Sequence, residues 1–291
     1  MPDSSRPALV EALADLLEAV RPRALEEDPV RFPRRFSSSE DREAAALLAA
    51  LFAYGNVRAM GAFLEELFGL LGPRPARTLR EGRLSGAPAY RFQSSADVLA
   101  LLGGTGKVLR TFGSLEAAFE AGTGSPDERL ETFARLLRKA AGPPSPGLRH
   151  LLPLPSGGSA CKRWRLFLRW VVRPDDGVDL GLWKALTPAD LVVPLDTHLP
   201  RLARALGLSL RRGGDGAHAR EITEAFRRLD RSDPCRFDFV LAHAGIQKRC
   251  RGSFDATACP ACPLRPHCPE GSAGGKKARK RKGGTRAGPS L

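Results

Sequence analysis

Apolar residues at helical spacing open the chain. Leu9, Val10, Leu13, Leu16, Leu17 and Val20 recur over 7–20, and the run stops at Arg21-Pro22-Arg23, which predicts a short amphipathic helix. Residues 28–35 hold two prolines and several charges and read as a connector; Ser37-Ser38-Ser39-Glu40-Asp41 then supplies capping hydroxyls and first-turn acids. The following segment, about 40–54, is apolar nearly all round from Ala44 to Ala53, the pattern of a central buried helix. Further helices are expected at 57–71, 95–102, 106–112, 114–121, 126–141, 163–172, 198–206, 217–229 and 234–247, with glycines separating the three between 95 and 121. Residues 74–94, which contain the isolated Tyr90-Arg91-Phe92, and the proline- and glycine-rich 142–158 read as loops. No period-2 run of strand length occurs, although 190–195 is briefly apolar and β-branched. The expectation is an all-α chain.

A length of 291 residues allows one large domain or two modest ones. No apolar run approaches the roughly 20 residues that a membrane helix needs, and residues 1–7 lack a basic-then-apolar signal. A soluble, cytoplasmic protein with no membrane partner is expected. The formal charge is +14, and 270–291 hold seven Lys or Arg against one Glu, which accounts for +6 of it and leaves +8 on residues 1–269. A basic body with a basic tail makes a polyanion the first partner to consider. The tail itself has almost no apolar residue and is expected to be disordered.

Four of the six cysteines fall within nineteen residues, as Cys250-x8-Cys259-x2-Cys262-x5-Cys268. In a chain without a secretion signal, such clustering favours metal over disulfides. A structural zinc site most often pairs two CxxC knuckles, and here there is one. The uneven spacing, with Pro260, Pro263 and Pro269 each directly after a cysteine, suits a loop wound around a 4Fe–4S cluster, and zinc is the alternative. Cys161 and Cys235 read as small buried hydrophobes. Between 154 and 208 the chain also carries a glycine-bearing turn, Leu154-Pro155-Ser156-Gly157-Gly158, then Lys162, and 34 residues later Asp196-Thr197-His198, an amine and a carboxylate on sequence that can fold back on itself.

Together the cysteine string after a helix ending His243-Ala244-Gly245, and Pro194-Leu195-Asp196-Thr197-His198 leading into 201–208, resemble the helix-hairpin-helix (HhH-GPD) DNA glycosylase superfamily over about 40–269. More narrowly they resemble its iron–sulfur, endonuclease III-like members, and an uncharacterised bacterial family within or beside that group. The resemblance implies a two-lobed helical fold: 1–36 packing on a second lobe, a bundle over 37–189, the second lobe with its iron–sulfur loop over 190–269, and a tail from 270 to 291. It implies a monomer, nucleoid-associated, acting on double-stranded DNA. The extra Ser159-Ala160-Cys161 before the lysine and the x8 gap depart from the pattern.

In that reading Gly157 and Gly158 present backbone amides to a phosphate, and Arg163, Arg165, Arg249, Arg251 and Arg265 contact the DNA backbone. Asp196 stabilises positive charge developing on the sugar or deprotonates a nucleophile, and Lys162 attacks C1′ to form a Schiff base, its pKa lowered by burial or by Arg163 and Arg165. Each has a plainer alternative: Asp196 as a helix cap, Lys162 as a phosphate contact with Asp196 activating water, and Asp175, Asp176 and Asp179 as a solvated turn rather than a cation site. His198 and His243 read as helix-terminus hydrogen-bonders, and Trp164, Trp170 and Trp183 as core. The function expected is base-excision cleavage of an N-glycosidic bond, with abasic-site lyase activity through Lys162. The rival is a non-catalytic iron–sulfur DNA- or RNA-binding protein.

Overall fold

A computed structural model describes residues 6–247 and 249–272. Among these the chain is helical, with no strand and two isolated β-bridges, Tyr90 with Gln93 and Ser159 with Asp215. The expected basic tail lies outside the described residues from 273 onward. No described helix is long and apolar enough to cross a membrane.

The α-helices are α1 (Arg6–Glu27), α2 (Ser39–Leu51), α3 (Val57–Leu71), α4 (Pro75–Glu81), α5 (Ser95–Phe112), α6 (Leu115–Glu120), α7 (Pro126–Ala141), α8 (Pro146–Leu151), α9 (Lys162–Val172), α10 (Leu199–Ala205), α11 (Gly216–Arg227) and α12 (Asp238–Ile246). Helix α2 starts at Ser38, whose hydroxyl accepts from Asp41 N at 3.1 Å, and every residue from Glu43 to Leu51 is buried. It is the central helix that its pattern predicts. Its one buried charge, Glu43, accepts from Leu115 N (3.0 Å), Glu116 N (2.9 Å) and Trp183 Nε1 (2.7 Å). It thereby caps α6 and ties the loop after α9 to the core.

The structure departs from the expected boundaries for identifiable reasons. Helix α1 continues through Pro22 to Glu27, because Ala24 beyond it is buried against Val178 and Phe239; tertiary burial outweighs the cost of a proline inside a helix. Helix α5 joins two expected helices across Gly103, Gly104 and Gly106. A Cβ on Gly104 would lie 2.6 Å from Ala141 N, and one on Gly106 would collide with the Leu79 carbonyl. Gly104 and Gly106 are close contacts with α7 and α4, and none of the three glycines breaks the helix. Helices α4 and α8 lie in stretches read as loops, each with a proline in its first turn, the position where a missing N–H costs nothing.

Helix α9 anchors the rest through its buried arginines. Arg169 bridges Asp179 (2.8 Å) and Asp238 of α12 (2.9 Å), while Arg173 pairs with the same Asp179 and with Asp233 (2.8 Å). Arg34, from the connector after α1, reaches Asp175 at 2.6 Å. The acidic loop is therefore neither a cation site nor a solvated turn at its centre, since Asp179 is 0% exposed. Burial opposes the Arg173 charge, but Asp233, Asp179 and Asp176 outweigh it and raise the pKa of this guanidinium. Trp164, Trp170 and Trp183 are core, as expected, and Cys161 and Cys235 are buried. Helix α1 packs on α12, and the main apolar cluster runs unbroken from Leu9 to Leu264, across the boundary expected near 189.

Removing one member of a buried ion-pair network leaves uncompensated charge and costs about 3–5 kcal/mol. Asp179→Ala is expected to lower the urea-unfolding free energy by at least about 3 kcal/mol. A loss near zero would mean that the arginines are satisfied without it.

Candidate functional site

Helix α9 begins at Lys162 on an unusual backbone. Its N-cap, Cys161, lies at φ 50, ψ 37, with its amide donating to Ser159 Oγ at 3.1 Å. Among the described non-glycine residues only Cys161 and Arg91 have positive φ, and such conformations persist where the surroundings enforce them. Burial pushes the Cys161 thiol above its ordinary value, so it packs as a small hydrophobe.

The Lys162 side chain runs to the end of α2, where Nζ donates to the Ala53 carbonyl at 3.2 Å. Burial pulls this amine below the ordinary lysine value; Asp196 and Asp28 oppose the shift, and Arg163 adds to it. Desolvation is thus the main cause, and the expected help from Arg165 is absent. Arg165 is buried and paired with Asp127, so its guanidinium is turned into the protein rather than presented at the surface.

Asp196 sits in the segment before α10 and its Oδ1 accepts from His198 N (2.9 Å) and Leu199 N (2.6 Å). Asp196 thus ties down the two amides at the start of α10 from two residues before the N-cap, which is His198. Asp196 is also near enough to raise the pKa of Lys162, with no salt bridge joining the two among the described residues. The structure places the two residues singled out in the sequence, Lys162 and Asp196, near one another, and adds Asp28, a second acid acting on the lysine. Asp28 accepts from Val30 N at 2.8 Å through Oδ1 and meets His243 Nε2 at 3.1 Å through Oδ2. Nothing in the connector's sequence distinguished Asp28 from an ordinary turn residue. Helix α12 approaches this region closely: a Cβ on Gly245 would lie 2.6 Å from His198 Cβ and 2.8 Å from its Cγ.

The expected phosphate turn is differently used. Gly157 and Gly158 donate their amides to Leu154 O (3.1 Å) and Pro155 O (3.0 Å). Ser156 gives its amide and hydroxyl to the Glu131 carboxylate at 2.9 and 2.8 Å. With these donors bonded internally beside an anion, Gly157 and Gly158 do not form a phosphate cradle. Arg163 donates to the His150 carbonyl and lies 5.0 Å from the Tyr54 ring centre. Arg249 and Arg251 are exposed and Arg265 half-buried, all on the cysteine segment.

Cys250, Cys259, Cys262 and Cys268 are free thiols that together line one cavity of about 260 Å³, walled by α1, α10 and α12 through Leu16, Leu202 and Leu241. Cys250 accepts from Gly252 N (3.4 Å), Cys259 from Asp255 N (3.2 Å) and Cys268 from Gly271 N (3.3 Å). Burial pushes the Cys262 and Cys268 thiols up. Among the described residues, no group of three or more His, Cys, Asp or Glu side chains is arranged to hold a single metal ion.

The described residues form an all-helical protein with a half-buried lysine near two carboxylates and, elsewhere, a cavity lined in part by four cysteines. The chain belongs to the family described as Protein of unknown function (DUF2400), whose model matches residues 28–247, a span that stops short of the four cysteines. No curated protein and no solved structure matches the chain. This membership overturns the resemblance to the helix-hairpin-helix glycosylase superfamily: the family is an uncharacterised one, and nothing found indicates HhH-GPD glycosylases. The short motifs that carried the resemblance have local explanations here, Asp196 as the acceptor of the His198 and Leu199 amides and Gly157-Gly158 as a closed turn.

Because α12 packs against His198 with no room for a methyl group, Gly245→Ala is expected to cost about 1–3 kcal/mol, the usual penalty of overpacking. Chemical denaturation measures it, and an unchanged midpoint would show that the Asp196–His198 segment yields freely.

Proposed function

We propose that the protein is a base-excision enzyme that cleaves the N-glycosidic bond of a damaged or mispaired base in duplex DNA, using Lys162 as nucleophile and Asp196 as the neighbouring carboxylate. The observation that carries this reading is the half-buried lysine at the start of α9, its Nζ bonded to the Ala53 carbonyl near Asp196 and Asp28 and its pKa lowered by burial. A desolvated lysine spends more of its time as the neutral, nucleophilic amine. The net charge of +14 supports a polyanionic substrate.

In the proposed reaction the neutral Nζ attacks C1′ and the base leaves with the bonding electron pair, taking up a proton. Opening of the sugar ring then gives an iminium between Nζ and C1′, and a carboxylate beside C1′ stabilises the positive charge that develops there. On DNA already lacking a base, the same amine condenses with the sugar aldehyde and releases water. Borohydride then delivers hydride to the iminium carbon and leaves a stable secondary amine. Arg163 favours the neutral amine by repulsion, and the carbonyl of Ala53 holds Nζ in place.

The donor chemistry of the second site fits a 4Fe–4S cluster: four thiols around one cavity, three of them accepting backbone N–H groups that favour thiolate. Cys250, Cys259, Cys262 and Cys268 would hold it, and the group would supply structural order rather than turnover, fastening this segment against α1, α10 and α12. Zinc is the alternative occupant.

Incubation with abasic-site DNA and borohydride is expected to give a covalent adduct that Lys162→Ala abolishes; full trapping by that variant would remove the lysine from the mechanism. The trapping rate should rise with pH and level off below pH 10.5, the ordinary lysine value. Asp196 raises the pKa of the amine, so Asp196→Asn should move this rise to lower pH while slowing base release; a shift to higher pH would contradict the assignment. Purified protein should contain iron and acid-labile sulfide and absorb broadly near ~400 nm. Stoichiometric zinc without iron would assign the thiols to a single ion.

A further inference from the structure

The turn Tyr90-Arg91-Phe92-Gln93 holds two side chains in solvent on a fixed base. Its ends exchange backbone hydrogen bonds, Tyr90 N to Gln93 O and Gln93 N to Tyr90 O, both 2.9 Å. Tyr90 is buried and its hydroxyl donates to the Tyr54 carbonyl. Gln93 is buried too, accepts from the Tyr54 hydroxyl and donates to the Gly147 carbonyl at 3.1 Å. Between these anchors Arg91 is forced to φ 51 and Phe92 is 60% exposed. A Cβ on Gly55 would lie 2.8 Å from Arg91 Nη1, so the chain after α2 is shaped to admit that arginine. A strained residue beside an exposed aromatic, both rigidly supported, marks a surface whose form is maintained against a cost.

The surroundings say what the surface fits. The Tyr54 ring lies parallel to Phe92, with centroids 6.4 Å apart and planes inclined by 3°. His150 stands edge-on to both, at 5.3 and 5.0 Å. Burial, aided by Arg163 and Arg91, holds His150 below its ordinary value, and burial raises Tyr54 to about 12. Both rings are therefore uncharged at neutral pH, with the Arg91 guanidinium 5.3 Å from the Phe92 centroid and Arg163 5.0 Å from Tyr54. Neutral aromatic faces interleaved with arginines are the combination that holds unstacked bases of a nucleic-acid strand. Lys162 Nζ bonds the carbonyl of Ala53, the residue before Tyr54, so the backbone under the patch also receives the amine.

We propose that Phe92, Tyr54 and His150 form a stacking platform for an unpaired nucleobase of a DNA strand, with Arg91 set against a flanking phosphate. This rests on the reading of the chain as a DNA-handling protein and adds how it would recognise a disrupted base pair. The strand's negative charge matches the basic chain, whereas an apolar protein partner would leave Arg91 and Arg163 unanswered.

The test compares full-length protein with Phe92→Ala, an exposed position where folding is not at stake, on two duplexes of equal length. One is fully paired and the other carries 2-aminopurine opposite an abasic site. Phe92→Ala should lose about tenfold in affinity for the second duplex and little for the first, and should no longer quench 2-aminopurine fluorescence; Phe92→Trp should restore both. Arg91→Ala should reduce the slope of log affinity against log salt by about one. Equal affinities and equal quenching in wild type and Phe92→Ala, or no binding of either duplex by wild type, would overturn the platform. Binding is read without borohydride, so discrimination through Phe92 in a protein that gives no covalent adduct sinks the lysine chemistry alone. An adduct formed equally by Phe92→Ala, with unaltered affinities, sinks the platform alone.

Discussion

The interaction on which the rest depends is the buried network of Arg169 and Arg173 with Asp179, Asp233 and Asp238. Ions taken out of water in a protein interior are tolerated only when each charge is answered at close range. Here the answering acids come from the loop after α9, from the turn before α12 and from α12 itself. Those three pieces cannot separate without stranding a guanidinium. The network thereby fixes the axis and register of α9, and the position of everything at its other end.

That other end is Lys162. The helix is eleven residues long, about 16 Å at the rise of an α-helix, so a clamp at Arg169 and Arg173 controls the amine from two turns away. Cys161, in its left-handed conformation, sets where the helix starts, and the Ala53 carbonyl receives Nζ at the end of α2. Burial then works in opposite senses at the two ends. Around the arginines enough acids converge to hold the guanidinium charges, while burial pushes the Asp179 carboxyl up to about 7 against the pull of Arg169 and Arg173. Around Lys162 the acids are present but do not pair with it, and desolvation prevails. The contrast between a compensated and an uncompensated cation on one helix is what singles out Lys162 chemically.

Much of this organisation is legible in the sequence, for reasons that differ from element to element. Helix α2 shows itself because ten consecutive apolar residues admit few other placements, and Trp164, Phe167, Leu168 and Val171 of α9 recur at helical spacing. Lys162 and Asp196 stand out as an amine and a carboxylate flanking a foldable stretch, and the four cysteines by spacing alone. What is hidden depends on contacts made at a distance. Gly104 and Gly106 look like breaks until α7 and α4 are seen pressed against them. Asp179 looks solvated until two arginines close over it, and Asp28 has no local signature at all. The family resemblance failed because motifs such as Gly157-Gly158 and Asp-Thr-His are short enough to serve local turn and cap geometry, and it is the match over 28–247 that places the chain in its family. The exposed Phe92 and the strained Arg91 are likewise invisible in one dimension, since only the folded chain shows which aromatic has been left outside.

The central claim, that a clamped α9 holds the half-buried Lys162 amine below its ordinary pKa with no carboxylate paired to it, is tested most directly by a titration of that amine. Lysine labelled with ¹³C at Cε, assigned through Lys162→Arg, gives the midpoint by NMR. The account predicts a midpoint below 10.5, the ordinary lysine value, with a further fall in Asp196→Asn. A midpoint at or above 10.5 would contradict it.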